Sequence, residues 1–375
     1  MTAPPRTTDV PANRLVDGDF LAGIDENDLV HFVLNVGDGD TQIVLLPAEA
    51  GKRRAIVVDV CSARKLDHLI AALQEAKLLP ADEEPLALVV ATHPHADHIS
   101  GMASFITKHA DLIGEVWEPG YFIPTKSYFT MMDALAKLDL DHTQPSSGTV
   151  RFIDQVKVTV LAPGVSLKNR YDSYGIDPNN SSIALKLDFP ARRYYARNDD
   201  GSVEKLPDGA SLVLGADAQT LSWAQVFVDF PQLAAEKTAV AEALNKARGV
   251  NHLKANVFKV PHHASKHGLN LELIEEIKPA VSLVSSVGGG GSYNFPHRVS
   301  LEALREGLEQ TTKKEKPRSD DFDLGIHFTF GKDTANRDLG SIAVVLGPTG
   351  RKHDVWRFGD GSSKDIDLTS ARKFG

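Results

Sequence analysis

Three histidines and one aspartate stand within six residues, His93-Pro94-His95-Ala96-Asp97-His98. Imidazole nitrogens and carboxylate oxygens are ligands of zinc and similar divalent ions, and a short turn holds them convergent. His93 and His95 are separated by one residue, so both rings face one side of an extended turn and can grip one ion. Asp97 and His98 come after the bend and reach a neighbouring position. The spacing therefore suits two adjacent metals better than one.

A strand must lead into this cluster and a helix must leave it. Leu86-Ala87-Leu88-Val89-Val90-Ala91 has the length and composition of a buried strand, and Met102, Phe105, Ile106 and Ala110 fall at helical spacing. Upstream, Val30–Val36, Thr41–Leu46 and Ala55–Val60 read as three strands joined by turns, the edge of an antiparallel or mixed sheet. Gly37-Asp38-Gly39-Asp40 makes the first turn. Ser62 caps a helix carrying Leu66, Leu69, Ile70 and Leu73 on one face, stopped by Pro80. Later strands are expected at 150–153, 156–161, 181–187, 211–217, 255–260 and 280–286, with helices at 127–138 and 227–247. Pro119 to Pro124 is a loop of rings and prolines, either a cleft wall or an ordinary surface loop. Gly288 to Gly291 is a loop tip and no phosphate cradle, since no Lys-Ser/Thr follows.

The bulk numbers narrow the classes. With 375 residues, 42% hydrophobic and 24% charged, the chain permits two domains or one large α/β sandwich. A formal charge of -9 gives no general attraction to nucleic acid, so only a local basic groove would bind it. Ala191-Arg192-Arg193-Tyr194-Tyr195-Ala196-Arg197 mixes cations with rings as such a groove would, or as one solvated strand face does. The single cysteine, Cys61, excludes an internal disulfide and reads as a small buried apolar residue. No apolar run is long enough for a membrane span and the N-terminus lacks a secretory stretch, so the expectation is cytoplasmic.

The order His-x-His-x-Asp-His on the loop after a core strand resembles the signature of the metallo-β-lactamase superfamily. Asn35-Val36-Gly37-Asp38-Gly39-Asp40 and Pro261-His262-His263-Ala264-Ser265 are similar to motifs of its ComEC/Rec2-like, free-standing branch. Here Asn35 replaces the usual Asp and Ala264 the usual Gly. The resemblance, over roughly His31 to His297, implies an α/β (α+β) fold, a four-layer αββα sandwich; beyond it, 326–330, 341–346 and 354–358 read as a C-terminal strand addition. The domain would occupy residues 26–350, after a loose N-terminal segment 1–25 and before a terminal strand and loose tail at 351–375; Lys313 to Arg318 would be a charged linker.

The same resemblance implies a site. His93, His95, Asp97, His98, Asp217 and His262 would hold one or two divalent ions, zinc first and manganese second. Asp217 would bridge, His262 would complete the second ion, and Asp59 would organise the loop. His263, or else His297, would be free for acid chemistry, with Ser265 or Lys266 on a substrate oxygen and Asp97 among the catalytic groups. The superfamily's third metal-binding His has no counterpart in Asp177-Pro178-Asn179-Asn180-Ser181; Asn180 or Asp177 fills the gap, or the turn touches no metal. The implied activity is hydrolysis by a metal-held water that loses its proton near neutral pH. Phosphodiesters come first as substrate, nucleic acid included. An acyl substrate such as a lactone or thioester is the alternative, and a non-catalytic binding scaffold is another. No membrane partner is expected, and the oligomeric state is not legible.

Overall fold

Alternation along the strands sets the layers. In Leu29–Val33 and Ala55–Val60, Leu29, Val33, Ile56 and Val58 join one buried cluster, while Val30, Phe32, Val57 and Val60 join another. A strand buried on both faces needs a layer on each side. The computed structural model describes residues 10–168, 177–190, 195–197, 203–205, 209–229, 253–289, 293–312 and 320–375.

Among the described residues, ten strands form one sheet and seven a second. The first runs in the order Leu15–Asp17, Arg372–Phe374, His353–Arg357, Ile342–Leu346, Leu29–Val33, Thr41–Leu45, Ala55–Val60, Leu86–Val90, Val116–Trp117, His142–Thr143. The second runs Ile326–Phe328, Val281–Val284, Val257–Lys259, Ala210–Leu214, Ala184–Phe189, Val156–Ala162, Val150–Ile153. Val44, Val58 and Leu88 from the first sheet pack with Leu185, Leu212 and Leu283 from the second, and this shared layer is the central core.

Helices close both outer faces. Ala63–Glu75, Met102–His109 and Lys126–Leu138 bring Leu66, Leu69, Phe105, Ile106 and Met131 onto the first sheet. Thr220–Asp229, Leu271–Ile277 and Arg298–Thr312 bring Trp223, Val226, Leu273, Leu304 and Leu308 onto the second. The result is an αββα sandwich. No helix among the described residues is long and apolar enough to cross a membrane.

Three expectations change. The strands Leu29–Val33 to Ala55–Val60 are not a sheet edge, because Ile342–Leu346 pairs antiparallel with Leu29–Val33 and continues the sheet outward. The C-terminal addition is divided: Ile326–Phe328 extends the second sheet, while Ile342–Leu346 and His353–Arg357 extend the first. The ends of the chain are not loose throughout. Arg372–Phe374 pairs with Leu15–Asp17 and with His353–Arg357, and Ile366, Leu368 and Ala371 are buried in the outer core. These apolar residues stand singly among polar ones, so no run marks them. The helix expected at 227–247 is described only as far as Asp229, within Thr220–Asp229. Its remainder, residues 191–194 of the cation-and-ring run, Gly290-Gly291 and the 313–318 linker lie outside the described residues.

Candidate metal centre

The residues with chemistry sit at the carboxyl ends of parallel strands, where the two sheets face each other. Leu86–Val90 delivers Thr92 to His98, Ala210–Leu214 delivers Asp217, Val257–Lys259 delivers His262 and His263, and Val281–Val284 delivers Ser285. Close backbone approach seats them. A Cβ at Gly39 would fall 2.5 Å from the Asp97 carbonyl oxygen, where the Asp40 N–H donates. A Cβ at Gly215 would fall 2.9 Å from Pro261 Cβ. Only glycine permits either contact.

Asp217 lies at the centre. Its Oδ2 is 3.6 Å from His93 Nε2 and 3.7 Å from His262 Nε2, and His93 Nε2 is 3.1 Å from His95 Nδ1. Its Oδ1 is 3.2 Å from His98 Nε2 and 3.8 Å from His263 Nε2, which is in turn 3.8 Å from Asp97 Oδ2. Ligand atoms about 2 Å from one tetrahedral ion are roughly 3.3 Å apart, so these separations fit two adjoining ion positions sharing one carboxylate.

Hydrogen bonds fix which ring nitrogens carry protons. His98 Nδ1 is 2.7 Å from Asp59 Oδ2, so its Nδ1–H donates and Nε2 presents a lone pair. Thr92 Oγ1 donates to Asp59 Oδ2 at 2.8 Å and therefore accepts from His93 Nδ1–H at 3.2 Å, which again bares Nε2. Asp40, beside Thr41–Leu45 of the same sheet, repeats the device toward residues carried by the second sheet. Ser285 Oγ donates to Asp40 Oδ1, and His263 Nδ1–H donates to the Ser285 hydroxyl and carbonyl oxygens, each at 3.0 Å. Two carboxylate–hydroxyl–imidazole chains thus aim bare nitrogens at Asp217.

The bare atoms meet one another. His98 Nε2, His263 Nε2 and Asp217 Oδ1 are buried and have no hydrogen-bond partner of acceptable geometry. Unpartnered buried polar atoms are costly, and a cation would satisfy three that face one another. The electrostatics agree. Burial opposes charge on Asp217, yet His98 and His93 hold its carboxyl well below the ordinary range. Burial also opposes charge on His98, but Asp217 and Asp59 raise its imidazole well above its ordinary value, so Nε2 holds a proton toward Asp217 until a metal replaces it. The arrangement favours positive charge at its centre and is compatible with a divalent metal.

Asp40 lies close to this cluster, but its oxygens are taken by Lys259 Nζ at 2.9 Å and by Ser285 Oγ. We read it as an outer partner. Lys259 and, after it, His263 outweigh burial and bring the Asp40 carboxyl down to about 2.

The structure brings His93, His95, Asp97, His98 and Asp217 together, and Asp59 stands where it orients two of the rings. The tandem histidines are exchanged relative to expectation. His263, not His262, lies against Asp97 and Asp217 Oδ1, because its Nδ1 is tied back to Ser285. His262 lies on the Oδ2 side. Both have left-handed backbone, φ 51° each, and Ala264 follows at φ 62°. Strain of about 1–3 kcal/mol per such residue persists only where surroundings impose it. His297 is engaged at a helix start, where its Nδ1 accepts the Val299 N–H, and its own backbone N–H donates to the Ala264 carbonyl. Ser265 is buried, its Oγ accepting the His267 N–H, whereas Lys266 is exposed. Cys61 is half-buried beside Ser100, and burial pushes its thiol up.

Both side-chain atoms of Asn180 are engaged by protein: Nδ2 donates to Gln219 Oε1 at 3.2 Å and Oδ1 accepts the Ser222 N–H at 3.3 Å. The Pro119–Pro124 loop reaches this turn, with the Tyr121 hydroxyl donating to the Pro178 carbonyl and Phe122 left exposed. Sequence reasoning missed Ser285, Thr92, Lys259 and Gln219, and took Asp40 for a turn residue.

Comparison with known proteins gives the same family. The model of the metallo-β-lactamase superfamily matches residues 37–162. ComE operon protein 3 of Bacillus subtilis (strain 168) is 23% identical over 288 residues, 73% of this chain. The chain spans only 30% of that relative's length. Among solved structures, the metallo-β-lactamase fold protein YhfI from Bacillus subtilis is 12% identical, covering 82% of this chain and 97% of its own, with a TM-score of 0.40. A diphosphatase of the PhnP family is 10% identical, covering 81% and 95%, with a TM-score of 0.36. Residues 37–162, which carry the motif loop, match the metallo-β-lactamase superfamily, the αββα layers agree with that match, and the likeness to ComE operon protein 3 is a similarity to the ComEC/Rec2-like branch.

Proposed function

We propose that the protein is a metal-dependent hydrolase of phosphodiesters, with zinc or manganese held by His93, His95, Asp97, His98, Asp217 and His263. The observation that carries the reading is the convergence of three unpartnered buried atoms, His98 Nε2, His263 Nε2 and Asp217 Oδ1. When bound, divalent ions supply an activated water at neutral pH and neutralise charge on a phosphoryl oxygen. Asp217 would join the two positions through its two oxygens. Asp59 and Thr92 on one side, and Asp40 and Ser285 on the other, hold the rings of His93, His98 and His263 with Nε2 inward.

Phosphodiesters are favoured over acyl substrates by the branch resemblance and by Lys266, an exposed cation three residues past His263 that suits a phosphate oxygen. Ser265, with its hydroxyl engaged, is the weaker candidate for that contact. The test is a panel of bis(4-nitrophenyl) phosphate, single- and double-stranded DNA, RNA and lactones, with zinc or manganese and an Asp97→Ala control. Metal-dependent turnover of a phosphodiester, lost in the control, is expected. Turnover of lactones alone would replace phosphodiesters with the acyl reading. Bound metal with no turnover of anything would favour a binding scaffold.

A further inference from the structure

The place where the superfamily's third histidine is missing is occupied by a chain of side chains that ends on His262. It starts from backbone. The Ser222 N–H, in the first turn of Thr220–Asp229, donates to Asn180 Oδ1 at 3.3 Å, and Ser222 Oγ donates to the Asn180 carbonyl at 2.7 Å. With its oxygen so engaged, Asn180 turns its Nδ2 to Gln219 Oε1 at 3.2 Å. Gln219 is then left with its amide nitrogen toward His262, 3.3 Å from Nδ1. An amide nitrogen only donates, so His262 Nδ1 accepts, and the proton of the neutral ring stands on Nε2. Asn180, Ser222 and Gln219 are buried, so solvent does not compete for these bonds.

His262 and His263 are therefore neighbours with opposite tautomers. The Ser285 carbonyl makes His263 present a lone pair at Nε2, while Gln219 makes His262 present an N–H. A lone pair binds a metal and an N–H does not. We propose that His262 is not a ligand but a hydrogen-bond donor to the substrate oxyanion, set at the open side of the position formed by His93, His95 and Asp217 Oδ2. This rests on the metal-dependent reading above and gives a use for the missing histidine. With three protein ligands, that position keeps room for water or substrate, as catalytic zinc sites do. Its Asn180 replacement serves to orient the donor that faces the room left. His262 retains partial solvent access, its side chain 14% exposed, while His263 has none. Phe295 stacks on His263 at 5.7 Å and meets the edge of the His262 ring at 5.5 Å, which holds the two apart in role as well as place.

The experiment compares wild type with His262→Asn, His262→Ala, His263→Ala and Gln219→Leu, with inorganic phosphate as the probe. Asn tolerates the left-handed backbone of position 262, so the first variant stays informative if the alanine form fails to fold. Metal per chain is measured by elemental analysis after loading with zinc or manganese and desalting, and phosphate affinity of the loaded proteins by calorimetry. His262→Asn is expected to keep the wild-type metal content and to bind phosphate about tenfold or more weakly. Gln219→Leu should keep metal and weaken phosphate less, whereas His263→Ala should lose metal. Loss of a metal equivalent in His262→Asn would make His262 a ligand and overturn the proposal. So would unchanged phosphate affinity, or a metal-loaded wild type that binds no phosphate. A wild type that takes up no metal would instead sink the parent reading.

Discussion

Two buried polar clusters in this molecule differ in what their atoms touch. At the corner between the helix Ala63–Glu75 and the C-terminal strands, Lys65 Nζ meets Asp360 Oδ2 at 2.5 Å and donates to the Asn35 and Gly361 carbonyls. Asp360 also accepts the Ser341 N–H and hydroxyl. Nearby, Arg357 donates to the Phe328, Gly340 and Leu339 carbonyls, and Arg372 donates to Asp333 and the Asp338 carbonyl. Charges there are closed by protein atoms. Around Asp217, hydrogen bonds hold the outer sides of the rings, but the inner atoms have no hydrogen-bond partner. A satisfied buried charge is architecture; a ring of oriented and unsatisfied atoms is a binding site.

Substitutions at the two clusters should separate these roles. The largest effect is expected from Asp217→Ala, which removes the carboxylate common to both ion positions. Metal retention and turnover should fall by more than the roughly 10–100-fold that loss of an outer partner costs, with the far-ultraviolet dichroism of a folded chain preserved. Next comes Asp360→Ala, which strands Lys65, fully buried, without its counter-charge. Chemical unfolding should show a loss of about 3–5 kcal/mol, while metal per folded chain stays at the wild-type value. A normal stability for Asp360→Ala, or a lost metal, would erase the distinction between the clusters.

Asp59→Asn sharpens it from inside the site. The Asn side chain can still accept from Thr92 but no longer holds His98 Nδ1–H with charge, so metal affinity measured against a chelator should drop about 10–100-fold. The fold should survive, although Asp59 sits at φ 57°, since Asn accepts that backbone.

The smallest effect belongs to the architectural side and is a pH dependence. His327 is buried against Arg357 and Phe374, and burial, helped by Arg357, brings its imidazole from about 6.5 to about 3. A depressed folded value means that the unfolded chain binds the extra proton first. The contribution is therefore complete above about pH 6.5 and is lost as pH falls toward the folded value. Between pH 7 and about 5.5 the wild type should lose roughly 1 kcal/mol that His327→Leu does not lose, measured as the difference in their unfolding curves. Parallel curves would place the proton elsewhere.

What the sequence makes legible follows from distance along the chain. The motif His93 to His98 is readable because its candidate ligands are local, and the strands 29–33, 55–60 and 86–90 because apolar residues dominate them, with His31 and Asp59 the only interruptions. Asp217 is readable only through family likeness. The outer supports are not readable at all: Asp40 reaches Lys259 and Ser285 across more than two hundred residues, and neither a serine nor a lysine at a strand end signals such a contact. The roles proposed for His262 and His263 cannot be read from their adjacency, since they rest on the contacts to Gln219 and Ser285. The packed C-terminus escapes for another reason. Ile366, Leu368 and Ala371 contribute burial one residue at a time, without a period of either kind.

The central claim is that the bare atoms around Asp217 are a metal centre. Elemental analysis of wild-type protein, purified without chelator and then reloaded with zinc or manganese and desalted, tests it most directly. About one to two equivalents of metal per chain are predicted; less than about 0.1 equivalent, with no gain on adding either ion, would contradict it.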